Sequence, residues 1–140
     1  MLAEIETIVY ADNARDDEQA TRMAVVGILS IRSIIEHIQR GDDMVPIAEL
    51  QGIKLGPIKF LAAPFEIMQA IKNDVMAKSQ TKIPLVMGIT NGALGYAIDK
   101  TVVARGGYAV DTVSIIAGML PYANIHEELV EALLKLESML

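Results

Sequence analysis

The sequence predicts an α/β fold: a small mixed sheet with a βαβ crossover, packed by a long N-terminal helix and a C-terminal helix. Three observations carry it. Short apolar stretches alternate with helix-period stretches in the order strand, helix, hairpin, helix, strand, helix. The strand at 58–62, the helix at 66–78 and the strand at 83–89 form one strand–helix–strand unit, and such a crossover makes its two strands parallel. The chain has 140 residues and 52% hydrophobic content, enough for one core and one α/β domain over 1–140.

Residues 2–10 alternate Ile5, Thr7 and Val9 with Glu4, Glu6 and Ile8, which reads as a half-buried strand. A polar break follows, and Asp16 or Asp17 can cap a helix running to about Arg40. Ala20, Ala24, Gly27, Ile31, Ile34, Ile35 and Ile38 share one face of it, and Val25, Ile28 and Leu29 widen the stripe. Residues 48–55 and 58–62 form a hairpin about Gly56 and Pro57, with apolar residues alternating with Lys54 and Lys59. The helix at 66–78 offers Ile67, Ala70, Ile71, Val75 and Met76 as its apolar face.

The uninterrupted apolar run at 83–89 predicts a buried strand. It breaks at Thr90, Asn91 and Gly92, residue types that tolerate positive φ. Residues 99–105 form a short helix stopped by Gly106 and Gly107, and 111–120 is open between helix and loop. Asn124 with Glu127 three residues later is a capping-box pattern for a last helix with the stripe Ile125, Leu129, Leu133 and Leu136.

Composition excludes several classes. A net charge of −6 repels phosphate backbones, which argues against nucleic acid as a partner. The chain has no cysteine, hence no disulfide and no thiolate metal site, which fits a cytoplasmic protein. Glu4 and Glu6 stand where a signal peptide would carry basic residues, and no apolar run approaches the ~20 residues of a membrane span. No nucleophile elbow or phosphate loop is present.

The most informative stretch is 83–110. An apolar strand leads into Asn91 and Gly92, then Gly95 and Tyr96, then 99–103, then Gly106, Gly107 and Tyr108. With Pro64 and Glu66 in the upstream segment 61–68, this pattern resembles the C-terminal part of the catalytic domain of neutral/alkaline (non-lysosomal) ceramidases and their bacterial relatives. The resemblance extends from about Asp16 to the C-terminus. Phe65 departs from it, standing where the family carries glycine.

The resemblance implies a zinc-dependent amidohydrolase that cleaves a lipid-like N-acyl amide, the chemistry of sphingolipid metabolism. It implies zinc held by two histidines, a glutamate and a tyrosine, with Glu66 and Tyr96 in the last two places. Family histidines lie in an N-terminal half that the matched region does not include. The expectation is therefore part of a zinc site, inactive and without bound zinc in this chain alone. From the residues themselves, Glu66 also reads as a first-turn helix carboxylate and Tyr96 as a half-buried phenol. Tyr108 is the competing tyrosine, and the order of Asn91, Gly92, Gly95 and Tyr96 favours Tyr96.

The two histidines, His37 and His126, have no metal-type spacing and read as surface or satisfied side chains. The alternative class is a non-catalytic α/β interaction module. Surplus apolar residues on the first helix favour a homo-oligomer or docking onto a missing N-terminal half. Glu66 and Tyr96, each following a strand of one βαβ unit, are expected at the same edge of the sheet.

Overall fold

The computed structural model describes residues 18–140. The strand expected at 2–10 and the cap at Asp16 or Asp17 lie outside the described residues. The fold is α/β, with a three-stranded mixed sheet and a two-stranded parallel one. The chain divides into two compact units, one containing residues 18–45 and Asp111–Pro121, the other Pro46–Val110 and Tyr122–Leu140.

In the first unit, α1 (Glu18–Arg40) packs on a short helix from later in the chain, Ser114–Ile116. Ser30 Oγ donates to Ile116 O at 3.4 Å. The buried stripe of α1 is Ile28, Ile31 and Ile34, while Ile35 and Ile38, expected on that face, are exposed. Its end is held by His37 and Arg40, whose side chains converge on Asp42 at 2.7 and 2.9 Å. His37 is thus a surface histidine at a helix C-terminus, where positive charge is favoured.

The second unit is built on β1 (Gln51–Leu55), β2 (Ile58–Ala62) and, after a helix, β4 (Ile83–Met87), in the order β1-β2-β4. β1 and β2 are the expected antiparallel hairpin, closing at Leu55↔Ile58. β2 and β4 are the expected parallel pair, with Ile58 opposite Ile83 and Ala62 opposite Met87. A second, two-stranded parallel sheet pairs β3 (Glu66–Ile67) with β5 (Tyr96–Ala97). The helices α2 (Gln69–Lys78) and α5 (Ile125–Ser138) cover one face, and α3 (Lys100–Arg105) follows β5; the helix at Ser114–Ile116, α4, belongs to the first unit. A π-helical turn at Ala109–Val113 leads into α4, within the stretch the sequence left open.

The core of this unit is aliphatic: Leu61, Ile71, Val75 and Leu133 have no exposed surface, and Phe65, Leu129 and Val130 surround them. β1 comes close to α5 at Gly52, where an added Cβ would lie 2.7 Å from Leu140 Cδ1. The two hairpin lysines face the helices. Lys54 Nζ donates to Leu140 O at 3.1 Å and Lys59 Nζ to Glu137 O at 2.8 Å. Their charges meet the carbonyl groups at the C-terminal end of the chain's last helix, where positive charge is favoured.

Three sequence expectations differ from the fold. β4 is not buried on both faces: Ile83, Leu85, Met87 and Ile89 are each about 40–60% exposed. The helices α2 and α5 lie on the other face, and a parallel strand is buried twice only when both faces are covered. Glu66 does not open a helix. Glu66 N–H bonds Gly95 O at 2.9 Å and Met68 N–H bonds Ala97 O at 3.2 Å, so the extended ladder runs on and the helix starts only at Gln69. The capping box at Asn124 also does not form: its side chain makes no cap bond, and Glu127 pairs with Lys100 at 3.4 Å.

Candidate functional site

Glu66 and Tyr96 stand directly opposite each other in the β3–β5 ladder, thirty positions apart in sequence. The parallel crossover brings both chains to the carboxyl edge of the sheet. There the segment 63–65 continues the β2–β4 ladder before passing to β3. Ala63 N–H bonds Met87 O, Thr90 N–H bonds Ala63 O, both at 3.1 Å, and Ile89 N–H bonds Phe65 O at 2.8 Å. The chain after β4 then loops out and returns as β5.

That loop is where the glycines and Asn91 have work to do. Asn91 has φ 59°, Gly92 142° and Gly95 79°, all in the left-handed range that the sequence pattern implied. Gly88 is set by close approach instead: an added Cβ would lie 2.6 Å from Phe65 O. Ile89 has φ 51°, a strained value for a β-branched residue, costing of order 1–3 kcal/mol. It is held by its bond to Phe65 O.

Phe65 needs no glycine conformation, because its φ is negative. Its ring is buried and meets Tyr122 edge-to-face with centroids 5.7 Å apart, while Tyr122 Oη donates to Leu94 O at 3.2 Å. Phe65 is therefore a core side chain that ties the segment under Glu66 to the loop before Tyr96.

The Glu66 carboxylate opposite it, first as a potential acceptor and then by its negative charge, and burial after that, push the Tyr96 pKa above the ordinary tyrosine range, and Tyr108 adds to the effect. Tyr108, the competing tyrosine, is thus a neighbour on the same rim, and two-thirds exposed. Glu66 is exposed, so the pair opens outward. It offers an anionic and a phenolic oxygen, donors of the kind a zinc ion accepts. Among the described residues no group of three or more His, Cys, Asp or Glu could hold a metal ion.

His126 is buried and satisfied. Nε2 lies 3.1 Å from Asp74 Oδ2, and Nδ1 accepts from the Lys100 N–H at 3.2 Å. The Asp74 carboxyl is held below its usual range chiefly by this histidine bond. Asp99, also buried, caps α3 by accepting from the N–H groups of Thr101 and Val102 at 2.9 and 3.1 Å. Its pKa is lowered first by the Thr101 hydroxyl bond, against the effect of burial. The Asp74–His126–Lys100 connection joins residues 52 and 26 positions apart, and no local spacing signals it.

No family model, no curated protein and no solved structure matches this chain.

Proposed function

We propose that this chain supplies Glu66 and Tyr96 to the zinc site of an amidohydrolase resembling neutral/alkaline ceramidase, acting on a lipid-like N-acyl amide. The observation that carries the reading is the direct pairing of Glu66 with Tyr96 across β3 and β5. A zinc ion in such a site would polarise the amide carbonyl and activate water near neutral pH. Glu66 would offer it an anionic oxygen and Tyr96 a phenolic one. In this chain the Glu66 charge favours the protonated phenol, and a divalent cation would oppose that. Two donors do not hold a catalytic zinc, which takes three protein ligands and an open position. The remaining ligands come from outside this chain.

The test is hydrolysis of a fluorogenic N-acylsphingosine by the native protein that carries this sequence. Glu66→Gln and Tyr96→Phe should each lower kcat/KM by more than about 100-fold, exceeding the usual effect of losing an outer-shell partner. The purified chain alone should retain less than one zinc per molecule. Undiminished hydrolysis in either variant refutes the assignment, and stoichiometric zinc refutes the partial site.

A second reading is a non-catalytic interaction or self-association module. It is favoured by the open apolar face of the sheet, where Ile53, Leu55, Phe60 and Met87 border a cavity of about 270 Å³. An oligomer with no hydrolysis in the native protein would select it.

A further inference from the structure

We propose that the open face of the three-stranded sheet is covered by α1 of a second copy of this chain, each copy lending its helix to the other's sheet. The proposal is independent of the zinc reading of Glu66 and Tyr96, and it gives the self-association reading a definite geometry.

Strand register defines the face. Residues directly opposite on neighbouring strands point to the same side of a sheet. The rows Leu55–Ile58–Ile83, Ile53–Phe60–Leu85 and Gln51–Ala62–Met87 therefore share one side, and Gly52–Leu61–Val86 and Lys54–Lys59–Pro84 share the other. The second side is the covered one. Leu61 has no exposed surface, Gly52 lies against Leu136 and Leu140, and both lysines reach carbonyl groups at the end of the last helix. The first side carries no charge, and Gln51 is its one polar side chain. Ile53 and Leu55 are 65% exposed there, and Ile83, Leu85 and Met87 about 40%. That leaves on the order of 500 Å² of apolar surface open, near the upper end of the largest patch on a typical monomer. Sheets with parallel strands in α/β folds take helices on both faces, so the cover this face lacks is a helical one.

α1 carries the matching surface. Ile28, Ile31 and Ile34 are buried, while Val25, Val26 and Leu29 are exposed. At 3.6 residues per turn these three fall within an arc of about 100°, separate from the buried stripe. They add on the order of 250 Å² of apolar surface, so a reciprocal pair would bury on the order of 1,500 Å² over both partners, the size of a standard stable interface. Both surfaces belong to one chain and neither presents a charge that would select a different partner. Exchanged reciprocally, they meet twice about a two-fold axis, which closes the assembly as a dimer.

Sedimentation velocity on the full chain, with mixing of variants, tests this. Wild type should sediment as a dimer. Leu85→Lys on the sheet and Leu29→Lys on α1 should each weaken dimerisation by more than about 30-fold, the effect of losing a central interface residue. Mixing the two variants should restore association beyond that of either alone. In the mixed pair the unaltered helix of one copy meets the unaltered sheet of the other. Sheet-to-sheet packing would spare Leu29→Lys, and helix-to-helix packing would spare Leu85→Lys; either result overturns the proposal. So does a mixture that stays monomeric. A monomeric wild-type chain also overturns it and leaves the face to another occupant. If Leu85→Lys does not fold, Leu55→Lys, at a more exposed position on the same face, takes its place in every arm. Failure of the zinc reading would appear in the hydrolysis assay and leave these sedimentation results unchanged.

Discussion

Single side chains decide how the loops of the second unit are held. Glu137, buried near the end of α5, accepts from the Ser79 hydroxyl, from Gln80 N–H at 3.3 Å and from Thr81 N–H at 3.1 Å. Burial pushes its carboxyl up, but the bonds from Ser79, Thr81 and Gln80 outweigh burial and leave it below the ordinary range. Glu137→Gln turns an acceptor-only group into one that also donates toward N–H groups. It should cost about 1–3 kcal/mol, read from the urea midpoint. Gly88→Ala should cost at least as much, about 1–3 kcal/mol, because the new Cβ meets a backbone oxygen that has no freedom to turn away. Amide exchange at Ile89, whose N–H bonds that oxygen, should accelerate in the folded Gly88→Ala protein. Unchanged exchange would show that the strand accommodates the methyl group.

Among the elements, α1 and β4 carry more apolar surface than their own unit covers. On α1, Val25, Val26, Leu29 and Ile38 are exposed beside the buried Ile28, Ile31 and Ile34. Paired apolar surfaces of this kind favour association between copies. The chain should self-associate, and Leu29→Lys with Ile38→Lys should return it to a monomer in sedimentation velocity. Those exposed changes should move the unfolding free energy by no more than about 0.5 kcal/mol each. A wild-type chain that stays monomeric at high concentration removes this expectation.

For the whole molecule, the depressed carboxyls predict the direction of its acid response. Asp74, Asp99 and Glu137 all have folded pKa values below their ordinary ones. A lowered folded pKa gives stability that is fully present above the unfolded value and is lost as pH falls through the folded one. The ordinary values are about 3.9 for Asp and 4.3 for Glu. Stability should therefore hold from neutrality to about pH 5 and decline below about pH 4. Asp99→Asn and Glu137→Gln should each flatten that decline in a urea–pH series. A steeper acid loss in the variants would reverse the sign argued here. No helix among the described residues is long and apolar enough to cross a membrane.

The local signals in the sequence determined the parallel crossover, the hairpin turn, the positive-φ loop at Asn91 and Gly92, and the placement of Glu66 and Tyr96 at one edge. Each follows from short-range chemistry: turn residues, apolar runs and the handedness of a strand–helix–strand connection. The tertiary structure decided the rest. An apolar run at 83–89 reads the same whether one or two layers cover it, and only packing shows Leu85 and Met87 open to solvent. Glu66 looked like the first residue of a helix because Ile71 and Val75 share a helical face. The ladder to Gly95 and Ala97, drawn from thirty residues away, kept the backbone extended through Met68. His126 carried no spacing to distinguish it from a surface residue. Its partners Asp74 and Lys100 meet it only when α2, α3 and α5 come together, because a buried imidazole must satisfy both of its nitrogens wherever the fold supplies a donor and an acceptor.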